Sequence, residues 1–452
     1  MNTPICDFVR SYEALTPIRL HMPGNKRGQD ITEIPGADVL YASGGIIRES
    51  EENAAALFQS QRTLYSTEGS SLCIRAMLYL AQMHAALQGK RARIASGRNA
   101  HRVFLEAAAL LDPELFFLGT ADSLLTCQID PEELEKLFLS PGKAPTAVYI
   151  TTPDYLGNRT DLRAIAEVCH RHQALLLVDN AHGAYLRFLP DGAHPLEQGA
   201  DLCCDSAHKT LPVLTGGAWL HFSQDCSEEL VAMGERAMAL FASTSPSYLI
   251  LASLDTMNEK LAGDYQARLW ETAEQVSALK LTLTENDWRL IGSEPLKLTL
   301  CPKERGMTGR ELAARLREDR IYCEYFDEDY VVMMISPENR EEELSAVNRR
   351  LNAEPRRDPI RTKPPAARTA EPERVLTPRE ALMRPFETVP AEESLGRILA
   401  SPSVSCPPAV PILVCGERID EQALESFRYY GITYCDVVME QKNGKEKGRG
   451  VR

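Results

Sequence analysis

The chain has 452 residues, a formal net charge of −14, 44% apolar residues and 25% charged residues. Length and composition predict about three ordinary globular domains, and the acidity speaks against nucleic acid as a partner. No apolar run approaches the roughly 18 residues that a membrane-crossing helix needs, so no membrane partner is expected either. The opening "MNTPICDFVRSYEALTP" contains acidic residues and no apolar leader region. Twelve scattered cysteines, without CxxC or zinc spacing, read as buried thiols in a reducing cytoplasm.

In chain order, "STEGSSLCIRAMLYLAQMHAALQG" predicts a turn feeding a long helix, with Ser70 or Ser71 near its start. Free backbone N–H groups and the helix dipole make such a start an anion site. "TAVYIT" (146–151) predicts a strand that ends at the turn "TPDYLGN". Leu162, Ile165, Ala166 and Cys169 then follow helical spacing, with Thr160 or Asp161 available as cap. "ALLLV" (174–178) predicts a strand covered on both faces. Strand, helix and strand in that order imply a parallel sheet and set Asp179 at a strand's carboxyl end, the edge where open α/β sheets bind ligands.

From about residue 262, "PLKLTLCP", "TGRELAARLRED", "IYCEYF" and "YVVMMIS" predict a smaller α+β domain. The proline-rich, charged stretch "AEPRRDPIRTKPPAARTAEPER" reads as a linker. The expected division is therefore 1–261, 262–353, a linker at 354–374, and a carboxy-terminal domain at 375–452 ending in a polar tail.

"CCDSAHKTLP" (203–212) places Lys209 among small and apolar residues. Lysine is almost never fully buried unless paired or used, so Lys209 either snorkels to solvent or is held inside for chemistry. Taken with Asp179 and the serine-rich helix start, it suits pyridoxal 5'-phosphate. The amine forms an imine with the aldehyde, a carboxylate keeps the ring nitrogen protonated, and the helix start takes the phosphate.

"DSAHKTLPVLTGGAWLH" resembles the lysine-bearing motif of the Orn/Lys/Arg decarboxylases, which are fold-type I pyridoxal-phosphate enzymes. "LHMPGNKRG", "EGSS", "GRNAHR", "VDNAHGAYLRF", "STSPSYLILASLD" and "PPAVPILVCGERI" resemble further segments of that family in the family's order. With no response-regulator-like domain ahead of the first motif, the chain is similar to the family's short Gram-positive form. The resemblance implies an α/β fold: a three-layer large domain with a mainly parallel sheet, a small α+β domain and a carboxy-terminal domain.

It further implies that Lys209 carries the cofactor, Asp179 pairs with the ring nitrogen, and His101 stacks on the ring. Gly69, Ser70, Ser71, Ser206 and His208 would hold the phosphate, which Thr244 and Ser245 would reach from a neighbouring subunit. His182 would lie beside the ring, and Lys209 or His208 would return a proton to Cα after carbon dioxide leaves. The implied activity is decarboxylation of arginine, lysine or ornithine in the cytoplasm, as part of polyamine metabolism. The implied assembly is a homodimer or higher homo-oligomer with shared sites, and no metal is expected.

Four positions depart from the family's pattern: Asn25 and Tyr185 replace histidines, Asn180 an acidic residue and Arg102 a lysine. Two rivals stay open: an aminotransferase or lyase on the same fold, and a cofactor-binding paralogue without turnover, which Asn25 and Asn180 keep in view. His170 and His172 read as a solvated helix end rather than metal ligands. "DEDY" (327–330) reads as an acidic turn, with nearby Glu324 a candidate to meet a cationic substrate side chain.

Overall fold

The computed structural model describes residues 1–42, 44–118, 129–365, 371–406 and 410–440. Its centre is a seven-stranded sheet made of β1 (Arg62–Ser66), β2 (Arg93–Gly97), β3 (Glu114–Leu118), β4 (Ala147–Thr151), β5 (Leu175–Asp179), β6 (Leu202–Asp205) and β7 (Ala218–Phe222). The order is β1-β7-β6-β5-β4-β2-β3, with β7 antiparallel to both its neighbours and the remaining pairs parallel. The sheet is mostly parallel; α1 (Pro4–Ala14) and α2 (Ile46–Phe58) precede its first strand, and later helices pack on its faces.

Side-chain alternation along the strands explains the layering. Tyr149, Leu175, Leu177, Leu202 and Cys204 pack on one face with the helices α3 (Ser70–Leu87) and α4 (Arg102–Leu111). Val148, Ile150, Leu176, Val178 and Cys203 pack on the other with α5 (Pro131–Leu139) and α6 (Leu162–Arg171). The β4–α6–β5 unit follows the sequence pattern: Asp161 caps α6, and β4 pairs in parallel with β5 from Ala147↔Leu175 to Thr151↔Asp179. His170 and His172 stand at the carboxyl end of α6, where they meet Asp201 and Glu135.

A second, four-stranded antiparallel sheet is built from β8 (Leu290–Ile291), β9 (Lys297–Leu300), β10 (Tyr325–Phe326) and β11 (Val331–Met334), in the order β10-β11-β9-β8. The helix Gly309–Glu318 packs on it, started by a capping box between Thr308 and Glu311. The acidic turn 327–330 is more than a solvated loop. Asp327 and Asp329 are buried, and Asp329 accepts from Tyr429 and pairs with Lys303 at 2.8 Å. Residues beyond 371 add two two-stranded sheets and the helix Glu421–Tyr430. Two sequence motifs far apart meet there: Arg98 of "GRNAHR" makes a bidentate pair with buried Glu417 of "CGERI", at 2.8 and 2.9 Å.

Beneath the sheet lies a fully buried polar cluster. Asp205 accepts from Asn180 Nδ2 at 2.7 Å and from His194 Nε2 at 3.0 Å, with His221 Nε2 at 3.3 Å. Burial alone would raise this carboxyl, but the two imidazoles outweigh it and hold Asp205 below the usual carboxylate range. Leu196 N–H donates to His194 Nδ1, so His194 carries its hydrogen on Nε2 and donates to Asp205. This is the tautomer of a hydrogen-bond network rather than of a metal ligand at Nε2. Removing the acceptor strands these donors in the core. Asp205→Ala is expected to lose about 3 kcal/mol of stability in urea unfolding, and a loss below about 1 kcal/mol would show that the network is dispensable.

Candidate functional site

The carboxyl ends of β1, β2, β4, β5 and β6 reach the same edge of the sheet, and there they enclose a cavity of about 370 Å³. Gly69, Ser70, Ser71, His101, Asp179, His182, Ser206, His208 and Lys209 all line it. Thr244 and Ser245 do not. They are exposed on a loop outside the cavity, tied to its rim where Ser243 N–H donates to Glu68.

Asp179 is 2% exposed at the end of β5. Tyr149 Oη donates to its Oδ2 at 3.1 Å, and Ala181 N–H to its Oδ1 at 3.2 Å. Burial, reinforced by this neighbouring charge, pushes the Tyr149 phenol well above its ordinary value and keeps it a donor. Lys209 lies on the single helical turn Ala207–Thr210 that follows β6. It is not buried, contrary to the reading that it is held inside: it stands exposed to the open cavity, with Nζ 3.3 Å from His182 Nε2. A lysine that must meet a ligand needs a cavity rather than a core.

The phosphate-turn candidates form a cradle. Gly69 (φ +70°) turns the chain into α3, and the 18-residue helix begins without a side-chain cap. Its first N–H groups and dipole therefore face the cavity unmet. Ser206 Oγ donates to Ser70 Oγ at 2.7 Å, while Gly69 N–H reaches the Gly216 carbonyl at 2.7 Å. Gly216 (φ +100°) has no room for a side chain, because a Cβ would stand 2.7 Å from the Thr67 carbonyl. The helix-start and serine donors, the Asp179 carboxylate and the Lys209 amine, all lining one cavity, fit a phosphorylated, aldehyde-bearing pyridinium.

Three histidines flank this space. His101 caps α4, accepting Val103 N–H on Nδ1, and burial lowers its pKa although Asp179 opposes the shift. His208 Nδ1 donates to the Gly217 carbonyl at 2.9 Å, which holds its ring beside Gly69. His182 is driven well below its ordinary value by burial first, then by the charges of Lys297 and Lys209.

Lys297 is a residue the sequence reading missed. It is 2% exposed on β9 and pairs with Glu294 at 2.8 Å, which in turn accepts from Tyr185 Oη at 2.9 Å. Tyr185 thus anchors the second sheet and does not line the cavity. Asn180 is likewise committed, to Asp205. An acidic residue in its place would set two buried carboxylates at hydrogen-bond distance, so the amide is what Asp205 requires. Asn25 and Arg102 are exposed away from the chemistry, and Arg102 pairs with Glu106.

Asn99, Thr151 and Tyr155 also line the cavity and were not singled out. A signal existed for each, since Asn99 is two residues from His101 and the other two lie in or just beyond the β4 strand end.

A sequence profile of the "Orn/Lys/Arg decarboxylase, major domain" matches residues 21–291, and one of the corresponding "C-terminal domain" matches residues 363–434. Among curated relatives, the uncharacterised protein YaaO of Bacillus subtilis is 28% identical, over 94% of this chain and 93% of its own. An arginine decarboxylase of Halalkalibacterium halodurans has the same identity and coverage. The solved structure of the constitutive lysine decarboxylase of E. coli superposes with a TM-score of 0.77 at 16% identity, covering 97% of this chain and 82% of that one. The fold is that of the fold-type I enzymes, and the chain belongs to the Orn/Lys/Arg decarboxylase family.

Proposed function

We propose that the chain is a pyridoxal 5'-phosphate-dependent decarboxylase of a basic amino acid: arginine, lysine or ornithine. The observation that carries this reading is the placement of Lys209 and the buried Asp179 carboxylate on one cavity, beside the uncapped start of α3. When bound, the cofactor supplies a conjugated ring that takes up the electron pair left by the departing carboxylate.

The chain's own residues have separate tasks. Asp179, oriented by Tyr149, would pair with the ring nitrogen and favour its protonated form. Gly69, Ser70, Ser71 and Ser206 would hold the phosphate, with His208 against the turn. His101 would stack on the ring. His182 stays uncharged and accepts from Lys209 Nζ, which orients the amine. His208 has Nδ1 committed to Gly217, so Lys209 Nζ is the better-placed donor of the proton that Cα needs.

The assembly in this reading is a homodimer or larger, in which Thr244 of the partner subunit and Ser245 of the partner subunit complete the phosphate site. The placement is cytoplasmic, in keeping with ten described cysteines that are all free. Among the described residues no helix is long and apolar enough to cross a membrane.

The test is purified protein with pyridoxal 5'-phosphate, incubated separately with arginine, lysine and ornithine while carbon dioxide and amine are followed. Release from one of the three is expected. Keto-acid formation without carbon dioxide would move the assignment to an aminotransferase, and cofactor binding without turnover would leave a non-catalytic paralogue. Lys209→Ala should abolish the imine absorbance band of the cofactor-loaded protein, and a band that persists would sink the role of Lys209. Asp179→Asn should lower kcat by about 10²- to 10³-fold, whereas unchanged turnover would remove the carboxylate from the mechanism.

A further inference from the structure

A decarboxylase of basic amino acids must recognise a second cationic group far from the bond it breaks. The cavity lining offers three carboxylates, and each is engaged. Asp179 receives Tyr149 and Ala181, Asp154 receives Leu156 N–H and both nitrogens of Asn158, and Glu68 receives Ser243 N–H. One wall of the cavity leads to a fourth. Tyr155 lines the cavity, and its Oη donates to Glu324 Oε1 at 2.7 Å.

The Tyr155 ring is pinned from three sides. His182 meets it edge-on at 5.2 Å, Tyr325 does so at 5.6 Å, and Lys297 Nζ lies 5.9 Å from its centroid. The Glu324 backbone is fixed in turn by its N–H to the Val332 carbonyl at 3.0 Å. An exposed carboxylate is thus held in one orientation by a phenol that belongs to the cavity wall, and its second oxygen has no partner among the described residues. Lys297, 5.9 Å from the Tyr155 ring centroid, is paired with Glu294 at 2.8 Å and does not compete.

Resting on the decarboxylase reading, we infer that Glu324, oriented by Tyr155, is the specificity-determining residue that receives the distal ammonium or guanidinium of the substrate. The aromatic face of Tyr155 lines the approach, and a cation passing it gains further attraction. The charge of Glu324 acts on binding and is remote from the reacting Cα, so its loss separates KM from kcat.

The experiment uses the full-length, cofactor-loaded protein and its Glu324→Gln variant, which keeps shape and removes charge. For the basic amino acid that turns over, KM should rise about tenfold or more with kcat changed less than about threefold. The preference for that substrate over uncharged norleucine should fall by a similar factor, and Glu324→Asp should restore part of it. An unchanged KM and an unchanged preference would overturn the inference, as would a fall in kcat alone. Calorimetric binding of the same amino acids separates this failure from that of the decarboxylase reading. Equal binding by the wild type and Glu324→Gln defeats only the role of Glu324, while a wild type that binds none of the basic amino acids defeats both.

Discussion

The hydrogen bond from Asn180 to Asp205 is the constraint on which the site is hung. Asn180 follows the last residue of β5, and Asp205 is the last residue of β6. The hydrogen bond from the Asn180 side-chain amide to the Asp205 carboxylate, with Asn180 N–H on the Cys204 carbonyl at 3.0 Å, locks these two strand ends together. Asp179 precedes one partner, while Ser206, His208 and Lys209 follow the other. The distance between carboxylate and amine is therefore set by the sheet rather than by a loop. A buried carboxylate costs several kcal/mol unless its lone pairs are met, and His194 Nε2 at 3.0 Å, with His221 Nε2 3.3 Å away on the neighbouring strand, faces the remainder.

Buried polar pairs of this kind orient more than they stabilise, because desolvation offsets much of their attraction. The same device docks the other parts of the molecule onto the cavity. Tyr185, Glu294 and Lys297 join the second sheet to the segment after β5, and Arg98 with Glu417 joins the carboxy-terminal unit to the segment after β2. Each pair places a residue of a distant segment within a few positions of a cavity wall: Lys297 near His182, and Arg98 beside Asn99. Apolar contacts alone would tolerate sliding between such surfaces. A bidentate guanidinium–carboxylate pair does not.

What was legible in the sequence was local. The period of α6, the β-branched run of β4 and the glycine-serine start of α3 each declare themselves within a dozen residues, and a parallel βαβ unit then forces Asp179 to a ligand-binding edge. Lys209 stood out because its neighbours are apolar, although its exposure in the cavity was not foreseen, since a concave surface has no sequence signature. His194, His221 and Lys297 were invisible for a different reason. The two histidines acquire their meaning from Asp205, 11 and 16 positions away, and Lys297 from the cavity wall of another sheet, and nothing in a lone histidine distinguishes a core donor from a surface one. Asn180 was read as the loss of a charge. Only the position of Asp205 reveals it as a required donor.

The cavity's electrostatics follow from that packing. Two ammonium groups, those of Lys209 and Lys297, flank the imidazole of His182, and the rings of His101 and His208 approach it as well. Burial of the ring itself disfavours a further positive charge beside these two, so the imidazole stays neutral and offers Nε2 as an acceptor. That nitrogen is what Lys209 Nζ meets at 3.3 Å. Asp179 does not take this role, because Tyr149 and Ala181 hold its oxygens for another partner. Lys209 Nζ is thus met by a histidine that burial, and after it the charge of a lysine 115 residues further along the chain on a different sheet, keeps neutral. Domain docking and amine orientation are in this sense coupled: the charge of Lys297, carried on the second sheet, adds to burial in keeping neutral the imidazole that meets Lys209.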